Sequence, residues 1–252
     1  MSNSLTLILD NINPSIANAI RRTILSELPT LAIENVRIIE NTSSLYDEII
    51  AHRLGQIPIK TDLDLFNFTE SCRCKGEGCP SCTLELSLKA KGNKEFQSIY
   101  SNSLKSKDSK IKPIEDILIL RLGKGQEISI EAEAILGTGK DHAKWQPAVV
   151  GYKYYPIIKI DKSCNKCEEC IDACPMNILK LSKGKAAVTD PKLCTLCNSC
   201  AEACDVDAIT VRGDESKFIF KIESQGALPP KEIFERACGI LEEKAHELSK
   251  IL

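Results

Sequence analysis

The chain has 252 residues, 43% of them hydrophobic and 27% charged, with a net charge of -2. That balance supplies a sizeable core and excludes a disordered chain, a long transmembrane span and a strongly basic nucleic-acid binder. The opening MSNSLTLILD has no basic leader and no small-residue cleavage site, so the expectation is a soluble, unexported, cytoplasmic protein.

Leu5 to Leu9 alternate as a strand does. In the stretch that follows, Ile16, Ile20, Ile24 and Leu28 share a helical face, with Ser15 as the expected cap and Pro29 as the stop. Leu31 to Ile39 reads as a second strand. Near residue 50 a short helix should turn Ile49, Ile50 and Leu54 inward before Gly55 and Pro58 end it. Strand-like runs then fill Thr83 to Leu88, Ile117 to Leu122 and Ile128 to Ile135, so the middle is mostly β. Lysines 89, 91, 94, 105, 107, 110 and 112, interrupted by Glu95 and Asp108, read as a solvated face. KYYPIIKI and SKFIFKIES are both β-rich and are expected to pair as neighbours. The last segment, from PPKEIF onward, is an amphipathic helix with Ile233, Ala237, Ile240, Leu241, Leu248 and Leu252 on its apolar stripe.

Cysteine carries most of the chemical information. There are thirteen, an odd number that a disulfide framework does not explain. Cys72, Cys74, Cys79 and Cys82 form C-x-C-x4-C-x2-C, with Gly76, Gly78 and Pro80 allowing tight turns. Four thiolates on so short a loop suit a closed tetrahedral zinc site; a reducible disulfide pair or an empty thiol loop are the alternatives. Cys164, Cys167, Cys170 and Cys174 form C-x2-C-x2-C-x3-C, and Cys194, Cys197, Cys200 and Cys204 repeat that spacing 30 residues later. Each repeat reads as a Cys-rich loop, a short helix and a strand. The fourth cysteine is expected to start the helix and face the other repeat's cluster. Soft sulfur ligands at this spacing converge as an iron–sulfur cluster requires; zinc or incidental thiols are the alternative. Cys238 stands alone and reads as a small core hydrophobe.

These repeats resemble the bacterial two-cluster ferredoxins. The resemblance implies one [4Fe-4S] cluster on Cys164, Cys167, Cys170 and Cys204, and a second on Cys194, Cys197, Cys200 and Cys174. Pro175 follows Cys174 as in that pattern, whereas Asp205 replaces the proline expected after Cys204.

A second resemblance spans essentially the whole chain. The run NAIRRTILSELPTLAIENVRIIENTSSLYDEIIAHRLGQIPI, with KDHAKWQPAVVGYKYYP and ESQGALPPKEIFERACGIL in the same order, resembles the archaeal D subunits of DNA-directed RNA polymerase. Those are similar to the third subunit of eukaryotic RNA polymerase II and to the N-terminal domain of the bacterial α subunit. The resemblance implies an α+β chain with a discontinuous dimerisation domain over 1–40, 151–160 and 215–252. A mostly β insert over 41–150 would carry the loop 72–82, and a ferredoxin-like iron–sulfur domain would occupy 161–214. It also implies partners: subunit L as heterodimer mate, small subunits N and P, and the large catalytic subunits, with little or no direct nucleic-acid contact and no membrane. Asn18, Arg21 and Arg22 match the family's assembly motif and inherit from it a role in contacting the large subunits.

No catalytic residue is visible. Gly137, Gly139 and Lys140 are only a fragment of a phosphate-binding loop, no aspartate cluster suits catalytic magnesium, and His52, His142 and His246 are scattered. The sequence therefore reads as a non-catalytic subunit of a nucleotidyltransferase complex. The alternative is an electron-transfer iron–sulfur protein, which would need neither the N-terminal helix motif nor the matching C-terminal helix.

Overall fold

The computed structural model describes residues 3–108, 111–114, 116–182 and 184–251. In chain order the elements are β1 (Ser4–Asp10), α1 (Pro14–Ser26), β2 (Thr30–Asn41), α2 (Asp47–Gly55), β3 (Thr83–Lys91), β4 (Gln97–Tyr100), β5 (Lys105–Ser106) and β6 (Leu118–Leu122). Then come β7 (Glu127–Gly137), β8 (Ala148–Ile160), α3 (Glu169–Asp172), β9 (Leu179–Ser182), β10 (Lys185–Val188), α4 (Ser199–Glu202), β11 (Ile209–Ser224) and α5 (Pro230–Ile251). The chain is thus mixed α and β. Lys110 of the lysine run and Leu252 of the final helix lie outside the described residues.

The chain divides into two compact units. One holds Ala19–Val150 and the chain from Ile222 onward, with the first few residues; the other holds Thr6–Asn18 and Gly151–Lys221.

The larger unit is built on a four-stranded sheet in the order β2-β7-β3-β5, antiparallel throughout. Alternation decides its two faces, because successive side chains on a strand point oppositely. Leu84, Leu86 and Leu88 of β3 are buried, and so are Ile128, Ile130, Ala132, Ala134 and Leu136 of β7. Leu86 lies opposite Ala132 and Leu88 opposite Ile130, while the intervening Glu85–Glu133 and Ser87–Glu131 pairs face out. Ile50 and Leu54 of α2 join this core, as do Ile99 and Leu120 from the β4–β6 pair. Each fully buried Ile or Leu contributes about 1.5–3 kcal/mol of transfer free energy.

Three expectations change in detail. Helix α1 is capped by Asn13, whose Oδ1 accepts from the Ile16 amide at 2.9 Å, rather than by Ser15, which lies inside the helix. Ile16 and Ile49 are exposed, at 47% and 42%, while Ile20, Ile24, Leu28, Ile50 and Leu54 are buried. Along α5 only the first turns bury their stripe, at Ile233 and Ala237; Leu248 is exposed.

The smaller unit holds most of the three-stranded sheet β1-β11-β8, with the last of the three strands at its centre. KYYPIIKI and SKFIFKIES are therefore neighbours, as expected. Phe218 of β11 packs edge-on to Tyr152 of β8 at 5.7 Å between ring centroids, and Phe220 stacks on the same ring at 6.1 Å. Lys217 pairs with Asp10 at 2.8 Å, tying β11 to β1. Between β8 and β11 lie the two cysteine repeats, α3, α4 and the hairpin β9–β10, which the sequence reading did not separate into two strands.

Candidate metal centres

The loop 72–82 leaves a single 3-10 turn (Thr69–Ser71) and runs directly into β3. Positive φ angles at Lys75, Gly76 and Gly78 fold it back on itself, which glycine tolerates without strain. Backbone bonds hold the turns: Lys75 N–H to Cys72 O at 2.9 Å, and both Cys82 and Thr83 N–H to Cys79 O at 2.9 Å. The sulfurs gather as a result. Cys72–Cys79 and Cys74–Cys82 are 3.5 Å apart, Cys79–Cys82 is 3.8 Å, and all four ligand atoms lie within 4.8 Å of one another. A Zn–S bond of about 2.3 Å separates tetrahedral sulfurs by roughly 3.8 Å, so the geometry suits one four-coordinate ion. It does not match a disulfide, whose sulfurs sit about 2.05 Å apart. The thiols are electrostatically unequal. The Cys79 backbone N–H draws Cys74 down to about 6; Cys72 goes up to about 12, its thiol neighbours outweighing the Cys74 backbone N–H that favours its thiolate. Cys74 therefore ionises more readily than Cys72. Nearby, the buried Thr69 hydroxyl lacks a hydrogen-bond partner.

The two later groups are built on a different plan. Cys170 lies within α3 and Cys200 within α4, while Cys174 and Cys204 follow those helices. The fourth cysteine therefore does not start the short helix; the third sits inside it, and the turn that ends the helix aims the fourth. The 30-residue repeat also appears in the backbone. Lys166, Glu168 and Asn177 have positive φ, and so do Leu196, Asn198 and Asp207 at the matching positions. Non-glycine residues enter this region only when the surrounding structure holds them there, and the resulting turns direct amides inward.

The crossing of the repeats is visible in two small cavities. One is lined by Cys164, Cys167, Cys170 and Cys204, the other by Cys174, Cys194, Cys197 and Cys200. Ile171, Leu181, Ala186 and Ile209 complete the first wall; Ile158, Met176, Ile178, Leu179 and Val211 line the second. Cys167 and Cys197 are exposed, whereas Cys170, Cys174, Cys194, Cys200 and Cys204 are buried. Burial, then the electrostatic influence of Cys164, Cys167 and Cys204, pushes Cys170 up. Burial and the electrostatic influence of Cys174, Cys194 and Cys197 do the same to Cys200. Two rim cysteines move the other way: Cys164 is lowered by the backbone N–H groups of Ala186 and Lys166, and Cys197 by the hydroxyl and N–H of Ser199. The Ala208 amide donates to Cys204 Sγ at 3.3 Å and the Leu196 amide to Cys194 Sγ at 3.4 Å.

The remaining residues singled out from sequence do not gather at either centre. Asn18, Arg21 and Arg22 lie along α1, with Arg22 exposed and the other two half-buried. His142 caps the turn at Ala143–Trp145 by accepting from the Lys144 amide, and Trp145 is buried with its Nε1 donating to Ile135 O. Cys238 is half-buried, and burial pushes its thiol up. The described lysines of the 89–112 run are exposed, with Lys91 paired to Glu127 and Lys107 to Glu85. Sequence reasoning missed Lys153 of β8, whose Nζ donates to Lys192 O at 2.7 Å and Cys194 O at 2.8 Å. No spacing rule points to it, because the contact spans 41 positions. The positive-φ residues left a readable trace, since Asn and Asp, at 177, 198 and 207, tolerate that conformation best.

Among the described residues no helix is long and apolar enough to cross a membrane. Comparison with known proteins covers nearly the full chain. The chain is 44% identical over 247 residues to DNA-directed RNA polymerase subunit Rpo3 of Archaeoglobus fulgidus, covering 97% of this chain and 92% of that protein. Against the subunit of the same name in Methanosphaera stadtmanae the identity is 43%, over 96% and 92%; in Methanopyrus kandleri it is 33%, over 98% and 90%. The family description "RNA polymerase Rpb3/Rpb11 dimerisation domain" matches residues 6–245. With that match and relatives similar from end to end, the chain belongs to the RNA polymerase Rpb3/Rpb11 dimerisation-domain family.

Proposed function

We propose that this chain is a non-catalytic assembly subunit of an archaeal DNA-directed RNA polymerase. Its dimerisation domain, drawn from 1–40, 151–160 and 215–252, pairs with subunit L. Subunits N and P and then the large catalytic subunits join that platform, and Asn18, Arg21 and Arg22 contribute to the large-subunit contact. The observation that carries this reading is end-to-end similarity to chains named as polymerase subunits.

Within that role we assign two [4Fe-4S] clusters to the region 161–214 and a zinc ion to Cys72, Cys74, Cys79 and Cys82. The donor sets fit. Each of two cavities presents four thiols, three from one repeat and one from the other, and soft thiolates suit iron–sulfur clusters. Cys164, Cys167, Cys170 and Cys204 hold the first, and Cys194, Cys197, Cys200 and Cys174 the second. When bound, each cluster supplies a rigid cross-link between the repeats and a one-electron centre. The protein's part is to hold eight sulfurs in place with helix ends, strained turns and amide donors. A segment of roughly 50 residues is close to the size at which folds need such support.

The experiment is affinity purification of the tagged chain from its native cells without oxygen. Recovery of subunit L and the large polymerase subunits in near-equal amounts is the expected result. Recovery of a reductase or dehydrogenase without polymerase would replace the assembly reading by electron transfer.

A further inference from the structure

The second cysteine set is held from outside the repeats. Its first ligand, Cys194, follows the 3-10 turn Pro191–Leu193, whose start is fixed by Asp190 accepting from the Lys192 amide at 3.0 Å. Its end is fixed by Lys153, which reaches from β8 and donates from one ammonium to the carbonyls of Lys192 and Cys194. These carbonyls belong to the residue that ligates and to the residue two positions before it. Holding both fixes the direction in which the Cys194 side chain leaves the backbone. The strand can come this close because residue 213 is glycine: a Cβ there would lie 2.7 Å from Cβ of Tyr154 and 3.5 Å from Leu196 Cδ1. The first set is treated differently. The cations acting on Cys164 are Lys166 and Lys185, both from within the repeat region itself.

Resting on the iron–sulfur reading above, we infer that Lys153 is a positioning residue for the second cluster. It locks the Cys194 limb in ligating geometry and places a fixed positive charge beside an anionic centre, coupling that cluster, and not the first, to strand β8. Two charge-assisted hydrogen bonds from a half-buried ammonium are strong enough to set one backbone orientation. A neighbouring cation and hydrogen bonding are among the features that set a cluster's potential. Removing the charge should therefore destabilise the cluster's reduced, more negative state.

The test uses the full chain, isolated without oxygen, as wild type, Lys153→Met and Lys153→Arg. Iron and acid-labile sulfide are counted, reduction is followed by electron paramagnetic resonance, and alkylation of Cys197 is compared with that of Cys167. In Lys153→Met, iron should fall from about eight to about four per chain, the loss of one four-iron cluster. Cys197 should become alkylated while Cys167 stays protected, and any second cluster that remains should show a lower midpoint potential. Lys153→Arg, which keeps the charge and the donors, should retain both clusters. A Lys153→Met chain that loads both clusters at wild-type potentials overturns the inference, and so does loss of both clusters together. A wild-type chain that holds no iron overturns the iron–sulfur reading itself, so the two failures are told apart by the unmutated protein.

Discussion

The loop 72–82 and the repeats at 164–204 both concentrate cysteine, yet they solve the problem of convergence in opposite ways. In the loop, four sulfurs come from one short stretch, and glycine turns bring them within 4.8 Å of one another. In the repeats, each cavity takes three thiols from one segment and the fourth from a segment 30 residues away. The first arrangement draws all four sulfurs from one local stretch, anchored where it runs into β3. The second forms only if both repeats are folded against each other. Locality is the cheaper design, because ordering a short loop costs less chain entropy than joining distant segments. The crossed design offers something the loop cannot, since a group bound in either cavity would staple the two repeats together.

That contrast can be broken most decisively at the crossing cysteines. Cys204→Ser should strip the first cluster and leave the second, removing about half of the iron, while Cys174→Ser should do the reverse. Alkylation of Cys167 against Cys197, read by mass spectrometry, reports which centre was lost. If Cys204→Ser exposes Cys197 instead, the ligands are not crossed. A smaller and more local effect is expected at the loop. Cys82→Ser should lower zinc from about one ion per chain to none and speed hydrogen exchange over residues 67–83, leaving 161–209 unchanged. Metal analysis with exchange mass spectrometry checks both halves of that statement.

The smallest effect is a matter of pH. In the metal-free loop the Cys74 thiol is lowered to about 6 by the Cys79 amide, so its thiolate fraction rises as pH climbs toward and past that value. Its alkylation rate should increase roughly tenfold per pH unit below 6 and level off above it. Cys72, pushed up to about 12, should stay nearly inert across the same range. Equal reactivity of the two at pH 7 would remove the inequality on which the loop's readiness for metal rests.

How much of this was legible beforehand follows the same local-versus-distant line. Strands with clean alternation were readable: β3 and β7 run close to where Leu84, Leu86, Leu88 and Ile128 to Ile135 placed them. Helix faces were readable only approximately. Ile16 and Ile49 obey the apolar pattern but are exposed, because periodicity cannot say how far along a helix the covering layer extends. The cap moved from Ser15 to Asn13 for a similar reason, since both residue types cap and only the backbone decides which precedes the first turn. Among the cysteines, spacing sorted the thiols into three groups, and the ferredoxin resemblance implied a crossed grouping that matches the lining of the two cavities. Spacing could not yield Lys153 or the close approach at Gly213, which exist only once β8 and β11 are side by side.

The position of β11 at the centre of its sheet has a consequence for how the chain is made. Strand β1 ends at residue 10, and the strand it pairs with begins at residue 209. During synthesis at about 5–20 residues per second, the first strand emerges roughly 10–40 s before its neighbour exists. For that interval a newborn chain carries an unpaired first strand. The loop 72–82 can close early in it, and the crossed thiol sets are complete only near its end, once Cys200 and Cys204 have followed Cys174. Order of delivery alone therefore lets the loop 72–82 gather its four thiols before either crossed set is complete.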